Sequence, residues 1–205
     1  MLKFPHHKPF RSYSHTMKCW SKKIVLPRWY SRLDLDTNSY ASDAIDIKCF
    51  RQPVTIKVGK YTSLGSCTFV VDGDHAVHYA STYPFKEFGL SKTAPDNKGP
   101  EKAPPAVGND VWIGDDAYIY AGVVVNDGAV VAGNSVVTKS VPPYAVVAGN
   151  PARIVKYRFS EEMIQRFLDV QWWHFPDEFV HGTLGPLIAD PEEFLKAASE
   201  FSMKK

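Results

Sequence analysis

The chain has 205 residues, of which 44% are hydrophobic and 22% charged, with a net charge of +2, values that are ordinary for a soluble globular protein. No apolar run approaches the roughly 20 residues that a membrane-spanning helix needs, and the N-terminus lacks the continuous apolar region of a signal peptide. The three cysteines show no CxxC spacing, which weighs against a disulfide framework or a zinc site. A cytoplasmic location is the expectation that follows.

Residues 1–44 are predicted to form a basic, aromatic-rich arm. The first 33 residues contain eight lysines or arginines and no acidic residue. Such an arm could bind nucleic acid or an anionic surface, or it could cover the end of a repetitive fold. No nucleic-acid motif accompanies its aromatic side chains, so we expect packing over a coil end or between subunits, and no nucleic-acid partner.

An aliphatic residue returns at every sixth position from residue 107 onward, and a small or β-branched residue stands four positions after each one. The first set is Val107, Ile113, Ile119, Val125, Val131 and Val137, and the second is Val111, Ala117, Val123, Ala129, Ser135 and Val141. The same spacing occurs earlier, at Val58, Leu64 and Val70. Helices repeat near 3.6 residues and strands near 2, so neither explains a period of six. A coil with flat faces does explain it, and we predict this coil at about 50–70 and 107–150.

The period stops after Val70, so residues 71–106 are predicted to leave the coil as a long excursion loop. Long loops in compact domains are usually functional or disordered. This one contains DHAVH, which holds His75 and His78, followed by the aromatic run STYPF. Histidine is the natural general base near neutral pH.

The residues alone leave three interpretations of this histidine pair open. It could supply a catalytic base, it could be two exposed loop histidines, or it could bind zinc together with Asp72 or Asp74. The metal interpretation is disfavoured because no third strong ligand is evident in the sequence, and we expect no metal site.

The repeats in GNDVWIGDDAYIYAGVVVNDGAVVAGNSVVTKSVPPYAVVAGNPARIV resemble the coils of hexapeptide-repeat acyltransferases. The motifs GDHAVHYASTYPF, NDVWIG, GNPARIVKYRF and WWHFP, in this order, resemble the xenobiotic acetyltransferase branch, which includes hexapeptide-type chloramphenicol and streptogramin acetyltransferases. This resemblance covers roughly residues 45–180. It implies a mainly β fold, namely a left-handed parallel β-helix with an excursion loop and C-terminal α-helices. It also implies a homotrimer with acetyl-CoA as acyl donor.

The resemblance further implies roles for individual residues. His75 would be the general base that removes the proton of an acceptor hydroxyl. Because no nucleophilic Ser or Cys motif is present, direct transfer in a ternary complex is expected rather than an acyl-enzyme. The cofactor-binding residues would be Gly133, Thr138, Lys139, Ala148 and Arg153, the lysine and arginine supplying charge for phosphates. The acceptor pocket would be walled by Tyr83, Pro84 and Phe85.

The end of the chain reads as helical. Ser160 followed by two glutamates is typical of a helix N-cap, and Asp190 followed by Pro191 indicates a second helix start. We therefore predict a helical tail over residues 159–205, behind a β-helix acetyltransferase domain over residues 45–158.

The predicted function is acetyl transfer from acetyl-CoA to a hydroxyl of a small molecule, either an antibiotic such as chloramphenicol or a streptogramin, or a sugar. Three alternatives remain: a sugar or polysaccharide O-acetyltransferase, a non-catalytic β-helix scaffold, and a metal-dependent trimeric hydratase. A scaffold has no reason to keep DHAVH beside STYPF. A hydratase needs three histidine ligands on two coils, and the coil blocks contain none.

Overall fold

A computed structural model describes residues 31–50 and 52–203. The first 30 residues of the predicted arm, with most of its basic and aromatic side chains, lie outside the described residues. Fourteen short strands run through these ranges: β1 Arg32–Leu35, β2 Tyr40–Ala41, β3 Asp46–Lys48, β4 Thr55–Val58, β5 Ser63–Leu64, β6 Cys67–Val70, β7 Ala106–Val107, β8 Trp112–Ile113, β9 Ala117–Tyr120, β10 Val124–Val125, β11 Val130–Val131, β12 Val136–Val137, β13 Ala145–Ala148 and β14 Arg153–Tyr157.

Strands of successive turns pair in parallel and stack into three sheets, so the chain winds as a β-helix with three faces. The first face stacks β1, β4, β7 and β10. The second stacks β2, β5, β8, β11 and β13 and ends with the antiparallel β14, and the third stacks β3, β6, β9 and β12. In the regular region, paired residues such as Val107 and Val125 are eighteen apart, so three hexapeptides make one turn.

The period of six is confirmed by burial from Val107 to Val141, but it fails at Val70, where Phe69 takes the inward position and pairs with Ile119. All six aliphatic residues of the first predicted set are between 0% and 5% exposed, and the six residues four positions further on are between 0% and 2% exposed. Each hexapeptide therefore turns two side chains toward the axis of the coil. Burying one Val, Leu or Ile side chain stabilises a fold by about 1.5–3 kcal/mol, so this column is the main core of the molecule.

Among the described residues the first strand of the coil is Arg32–Leu35, ahead of the boundary at residue 45 that we predicted. Strands β1 and β2 pair with β4 and β5, so residues 32–41 form part of the first described turn of the coil rather than of the arm. Leu35 pairs with Val58, which is twenty-three residues further on instead of eighteen. The five extra residues lie in the corner after β3, and they shift residues 32–48 out of the six-residue period of the later turns. Counting back in sixes from Val58 therefore does not reach the inward residues of this turn.

A helical tail follows the coil. Its helices are α1 Glu161–Val170, a 3-10 turn Trp172–His174, α2 Asp177–Phe179, a π-helical turn Val180–Leu184, a 3-10 turn Gly185–Leu187 and α3 Pro191–Ser202. Both predicted N-caps are confirmed: the Ser160 side chain accepts from the Met163 N–H, and the Asp190 side chain accepts from two N–H groups of α3. The described helices include none with the length and apolar character needed to cross a bilayer.

The tail packs on the coil through a second, aromatic core around Tyr144 and Phe167, whose rings stack at 5.3 Å. Arg158 forms an ion pair with Asp110 of the coil at 2.9 Å and also donates to the Gly128 carbonyl. Burial raises the pKa of Asp110, because its charged form loses water, and the adjacent Arg158 acts in the opposite direction. The arrangement fixes the tail against the corners of the coil.

Candidate active site

The excursion loop leaves the third face after β6 and rejoins the first face at β7, so residues 71–105 contain no strand. Most of the loop is exposed. Ala76 (1% exposed) and Asn97 (9% exposed) are two buried residues within it, one near its start and one near its end. The two halves of the loop are thus joined through a small buried centre, and His75 lies beside it.

The His75 side chain is held by a backbone carbonyl. Its Nδ1 atom lies 2.5 Å from the carbonyl oxygen of Thr82. A carbonyl oxygen can only accept a hydrogen bond, so Nδ1 carries the proton and donates it. In the neutral imidazole this leaves the lone pair on Nε2, which is the atom that a general base needs. The imidazole is exposed and can be reached by an acceptor.

Asn97 ties the loop together around this histidine. Its Oδ1 accepts from the Ala76 N–H at 2.7 Å, and its Nδ2 donates to the Thr82 carbonyl oxygen. Its own N–H donates to Glu87 Oε1 at 2.9 Å. The sequence did not single out Asn97, because an asparagine between Pro, Asp and Gly is typical of an exposed turn. Only its burial shows that its amide must find partners inside the protein.

The neighbouring residues reinforce this crossing. The Gly99 N–H donates to the Asp74 carbonyl at 2.9 Å, and a Cβ atom at Gly99 would lie 2.5 Å from the Asp74 Cβ atom. Only glycine permits so close an approach. Residues on both sides of His75 are therefore bonded to the segment around residues 97–99, which fixes the backbone from which the imidazole projects.

The second part of the loop is further tied by ion pairs. Asp96 lies 2.8 Å from Lys86 Nζ and 3.3 Å from Lys98 Nζ. Hydrogen bonds from these lysines, Lys86 first, hold the pKa of the Asp96 carboxyl below its usual range. Both pairs are exposed, so their effect is mainly to restrict the geometry of the loop.

The three residues predicted to wall the acceptor pocket are divided between two cavities. Pro84 lines a cavity of about 400 Å³ together with His75, Phe50 and Phe88. Tyr83 and Phe85, whose rings meet edge to face at 5.0 Å, line a separate cavity of about 450 Å³ that also contains His78. Of the three, only Pro84 therefore shares a cavity with the proposed base.

His78 does not share the position of His75. Its ring stacks edge to face on Tyr79 at 4.6 Å, and it lines the cavity of Tyr83 and Phe85 rather than that of His75.

No three His, Cys, Asp or Glu side chains of residues 31–50 and 52–203 come together in a cluster that could hold a metal ion.

The predicted cofactor residues lie in two corners of the last turns. Ala148 of β13 pairs with Arg153 of β14, and the Ala132 N–H donates to the Val147 carbonyl, which places Gly133 beside them. Thr138 and Lys139 follow the other end of β12. The structure thus brings Gly133, Ala148 and Arg153 together and separates them from Thr138 and Lys139 by the two-residue strand Val136–Val137.

The loop and the second of these corners share one edge of the third face. Val137 of β12 pairs with Ile119, and Val70 of β6 pairs with Tyr120. Thr138, one residue beyond Val137, therefore stands in the column of Tyr120 and Val70, where the excursion loop departs. Neighbouring strands are about 4.8 Å apart, so two steps separate this corner from the loop by roughly 10 Å.

Cys67 offers no nucleophile. Its side chain is 2% exposed in the core of the coil, and burial, followed by the nearby Asp115 carboxylate, raises the pKa of its thiol to about 12. The thiolate is the reactive form, and this environment suppresses it. This agrees with the sequence-based interpretation of Cys67 as a small core residue.

The three-faced parallel coil, interrupted by a loop that carries the exposed imidazole of His75, has the architecture expected from the resemblance to hexapeptide-repeat acyltransferases. A family model described as "Bacterial transferase hexapeptide (six repeats)" matches residues 104–139. A probable macrolide acetyltransferase from Lysinibacillus sphaericus is 38% identical, over 65% of this chain and 77% of that protein. A chloramphenicol acetyltransferase from Morganella morganii is 37% identical, over 67% of each chain.

A solved structure shares the fold. The crystal structure of a mutant of AntD, an N-acyltransferase from Bacillus cereus, in complex with dTDP-4-amino-4,6-dideoxyglucose and coenzyme A, matches 68% of this chain and 71% of that chain. The TM-score is 0.50 and the identity 20%, which speaks for the fold alone.

The chain belongs to the hexapeptide-repeat acetyltransferases. Membership of this family confirms three expectations from the resemblance. These are the left-handed parallel β-helix, the enzyme class and acetyl-CoA as acyl donor.

Proposed function

We propose that this acetyltransferase transfers the acetyl group of acetyl-CoA directly to a hydroxyl of a small-molecule acceptor, with His75 as general base. The observation that carries the proposal is the hydrogen bond from His75 Nδ1 to the Thr82 carbonyl, which leaves Nε2 as the proton acceptor on an exposed imidazole. The mechanism needs a base in this protonation state, since a hydroxyl attacks a thioester poorly unless its proton is removed.

In the proposed step, the acceptor oxygen forms a bond to the thioester carbonyl carbon while its proton moves to His75 Nε2. The resulting tetrahedral intermediate collapses, the carbon–sulfur bond breaks, and the sulfur leaves as CoA thiolate, which takes the proton from the imidazolium. The products are the acetyl ester and CoA. General-base catalysis typically contributes 10²–10⁴-fold, and holding both substrates together adds a proximity term.

The donor is proposed to lie along the last turns of the coil. Gly133 and Ala148 leave a corner free of bulky side chains, and Arg153 pairs with Ala148 across two strands, so one cation stands at that corner. Lys139 supplies a second exposed cation at the next corner, roughly 10 Å along the same edge from the base of the excursion loop. A long, flexible donor with phosphates at one end suits this spread of small and cationic residues.

The acceptor is proposed to bind in the cavity that contains His75. Phe50 and Phe88, which are 76% and 67% exposed, present two aromatic rings there, and Glu87 and Lys98 are among the charged groups of the same cavity. Apolar surface with a few polar groups suits a partly apolar acceptor that carries a hydroxyl. Two relatives are named for a macrolide and for chloramphenicol, and we propose an antibiotic acceptor on this basis.

We further propose that the enzyme works as a homotrimer with its sites between neighbouring coils. The donor corners and the His75 imidazole are exposed in the single chain, as surfaces covered by a neighbouring coil would be. A mass in solution of about three times 23.0 kDa is expected, and a monomer that retains full activity would contradict this part of the proposal.

An acceptor screen tests the proposed function. Thiol release from acetyl-CoA is measured with chloramphenicol, a macrolide, streptogramin A, and nucleotide sugars as a matched group without an antibiotic scaffold. Release that depends on an antibiotic supports the xenobiotic role. Thiol release with the sugars alone would indicate a sugar or polysaccharide O-acetyltransferase instead. Thiol release with none of these acceptors at any concentration would favour a non-catalytic scaffold.

A further inference from the structure

The amide side chain of Asn97 has more partners around His75 than a loop closure requires. It is nine-tenths buried although it lies in a segment that is otherwise exposed. Its oxygen accepts from the residue that follows His75, and its nitrogen donates to the same Thr82 carbonyl that holds the imidazole. Both halves of the amide group thus act on the immediate surroundings of the proposed base.

We infer that Asn97 is a positioning residue for acetyl transfer, which fixes the tautomer and the orientation of His75 through the Thr82 carbonyl and the Ala76 N–H. The inference rests on the proposed role of His75 as general base. Asn97 also lines the cavity proposed for the acceptor, but its side-chain amide is bonded to Ala76 and Thr82, so we assign its effect to His75 rather than to a substrate.

The hydrogen-bonding capacity of the Thr82 carbonyl supports this role. Its oxygen has two lone pairs, one for the His75 Nδ1–H and one for the Asn97 amide. His75 Nδ1 and Asn97 Nδ2 are 3.0 Å apart, and since both are donors they converge on the oxygen rather than bond to each other. The Ala76 N–H holds the side-chain amide of Asn97, and Glu87 accepts from the Asn97 backbone N–H. Asn97 is therefore fixed at both its side chain and its backbone, and its amide occupies the second lone pair of the Thr82 carbonyl.

The residue types also matter. Asparagine offers a donor and an acceptor on one rigid group, and both are used here. Aspartate has the same shape but no donor. In Asn97→Asp, a carboxylate oxygen would occupy the place of Nδ2, 3.0 Å from His75 Nδ1, and could itself accept the Nδ1 proton. A negative charge at that place stabilises the imidazolium over the neutral base.

The experiment compares Asn97→Asp and Asn97→Ala with Thr93→Ala, a matched control on the same segment. Thr93 is exposed, and its hydroxyl lies 3.4 Å from that of Ser91, away from the surroundings of His75. The rate of thiol release is measured from about pH 5.5 to 9, a range that brackets the ordinary titration of histidine, with kcat and KM for acetyl-CoA determined separately. Thermal unfolding of each variant is recorded as well.

For Asn97→Asp we expect the acidic limb of the kcat/KM profile to move to higher pH by about one unit or more, with much of the rate recovered at about pH 9. Asp74, Glu87 and Lys98 also face the cavity of His75, and they are unchanged between the variants, so the shift reports the new carboxylate. For Asn97→Ala we expect kcat to fall by about tenfold or more with KM for acetyl-CoA unchanged, because the imidazole is no longer oriented. Thr93→Ala should match the wild type.

The outcomes separate this inference from the proposed function. If His75→Ala abolishes acetyl transfer but both Asn97 variants keep the wild-type kcat and pH profile, Asn97 is not a positioning residue, and the role of His75 as general base still stands. If His75→Ala itself is fully active, the proposed mechanism is lost. Should Asn97→Ala lose its fold, the isosteric Asn97→Asp decides the question, since a purely structural role would lower stability without moving the pH profile.

Discussion

A glycine in the coil tests the packing on which the donor corner depends. A Cβ atom at Gly114 would lie 2.6 Å from the Gly133 nitrogen, 3.0 Å from the Gly133 Cα atom and 3.2 Å from the Ala132 carbonyl carbon. All three are backbone atoms of the next turn, so no side-chain rotation can relieve the overlap. The Gly114 N–H also donates to the Val131 carbonyl at 2.8 Å, and this bond would be stretched by any separation of the turns.

The expected magnitude for Gly114→Ala follows from these contacts. Overpacking of a filled interior typically costs about 1–3 kcal/mol, and a clash with backbone alone lies at the upper end. Replacing glycine by alanine restricts the unfolded chain and returns about 0.4–1 kcal/mol. The free energy of unfolding should therefore fall by about 2 kcal/mol. The turn that must move carries Gly133, so the KM for acetyl-CoA should rise in the same variant.

Gly182→Ala is the matched control. Nothing lies within 4 Å of a Cβ atom at Gly182, and the residue belongs to the π-helical turn Val180–Leu184, where alanine is preferred over glycine. This variant should be as stable as the wild type or slightly more so. Urea unfolding at one fixed protomer concentration measures both variants, because assembly makes stability depend on concentration. If the two variants differ by less than about 0.5 kcal/mol, the close approach of the turns is not what the structure indicates.

Three further predictions concern individual side chains. Burial, followed by the hydrogen bond to Asp177, raises the pKa of Tyr61 to about 12. Because the folded state favours the neutral phenol, Tyr61 contributes fully to the free energy of unfolding below about pH 10, and this contribution is lost as the pH rises toward 12. The free energy of unfolding should therefore fall less between about pH 10 and 12 in Tyr61→Phe than in the wild type. Cys67 should resist iodoacetamide at about pH 8 in the folded protein and react after unfolding in urea, and rapid labelling of the folded protein would contradict its burial. Long-range ¹H–¹⁵N correlation spectra, assigned with His75→Gln, should show the Nδ1–H tautomer, and an Nε2–H tautomer would contradict the bond to Thr82.

The regular part of the coil could be predicted because its rule is local. Each hexapeptide points the same two positions at the axis, so an aliphatic residue such as Ile113 or Val131 marks the core without knowledge of any distant contact. The first turn escaped this rule. Five additional residues in the corner after β3 put Leu35, Ala41 and Ile47 one position out of step with Val58, although these three keep the spacing of six among themselves.

The candidate site likewise has one part that the sequence predicts and one part that it does not. His75 could be proposed from a short motif and from a resemblance. Asn97 could not, because its role comes from a crossing of two chain segments 22 residues apart, and sequence shows neither the crossing nor the burial. The acceptor wall shows a similar limit: consecutive residues Tyr83, Pro84 and Phe85 were predicted to act together, but their side chains line different cavities.

The most direct test of the account is the rate of thiol release from acetyl-CoA by His75→Ala, measured beside His78→Ala with the acceptor found in the screen. We predict that His75→Ala loses about 10²-fold or more in kcat, as expected for a lost general base, while His78→Ala, whose ring lies in the neighbouring cavity, stays within a few-fold of the wild type. Full turnover in His75→Ala, or an equal loss in both variants, would contradict the assignment of His75 as the base.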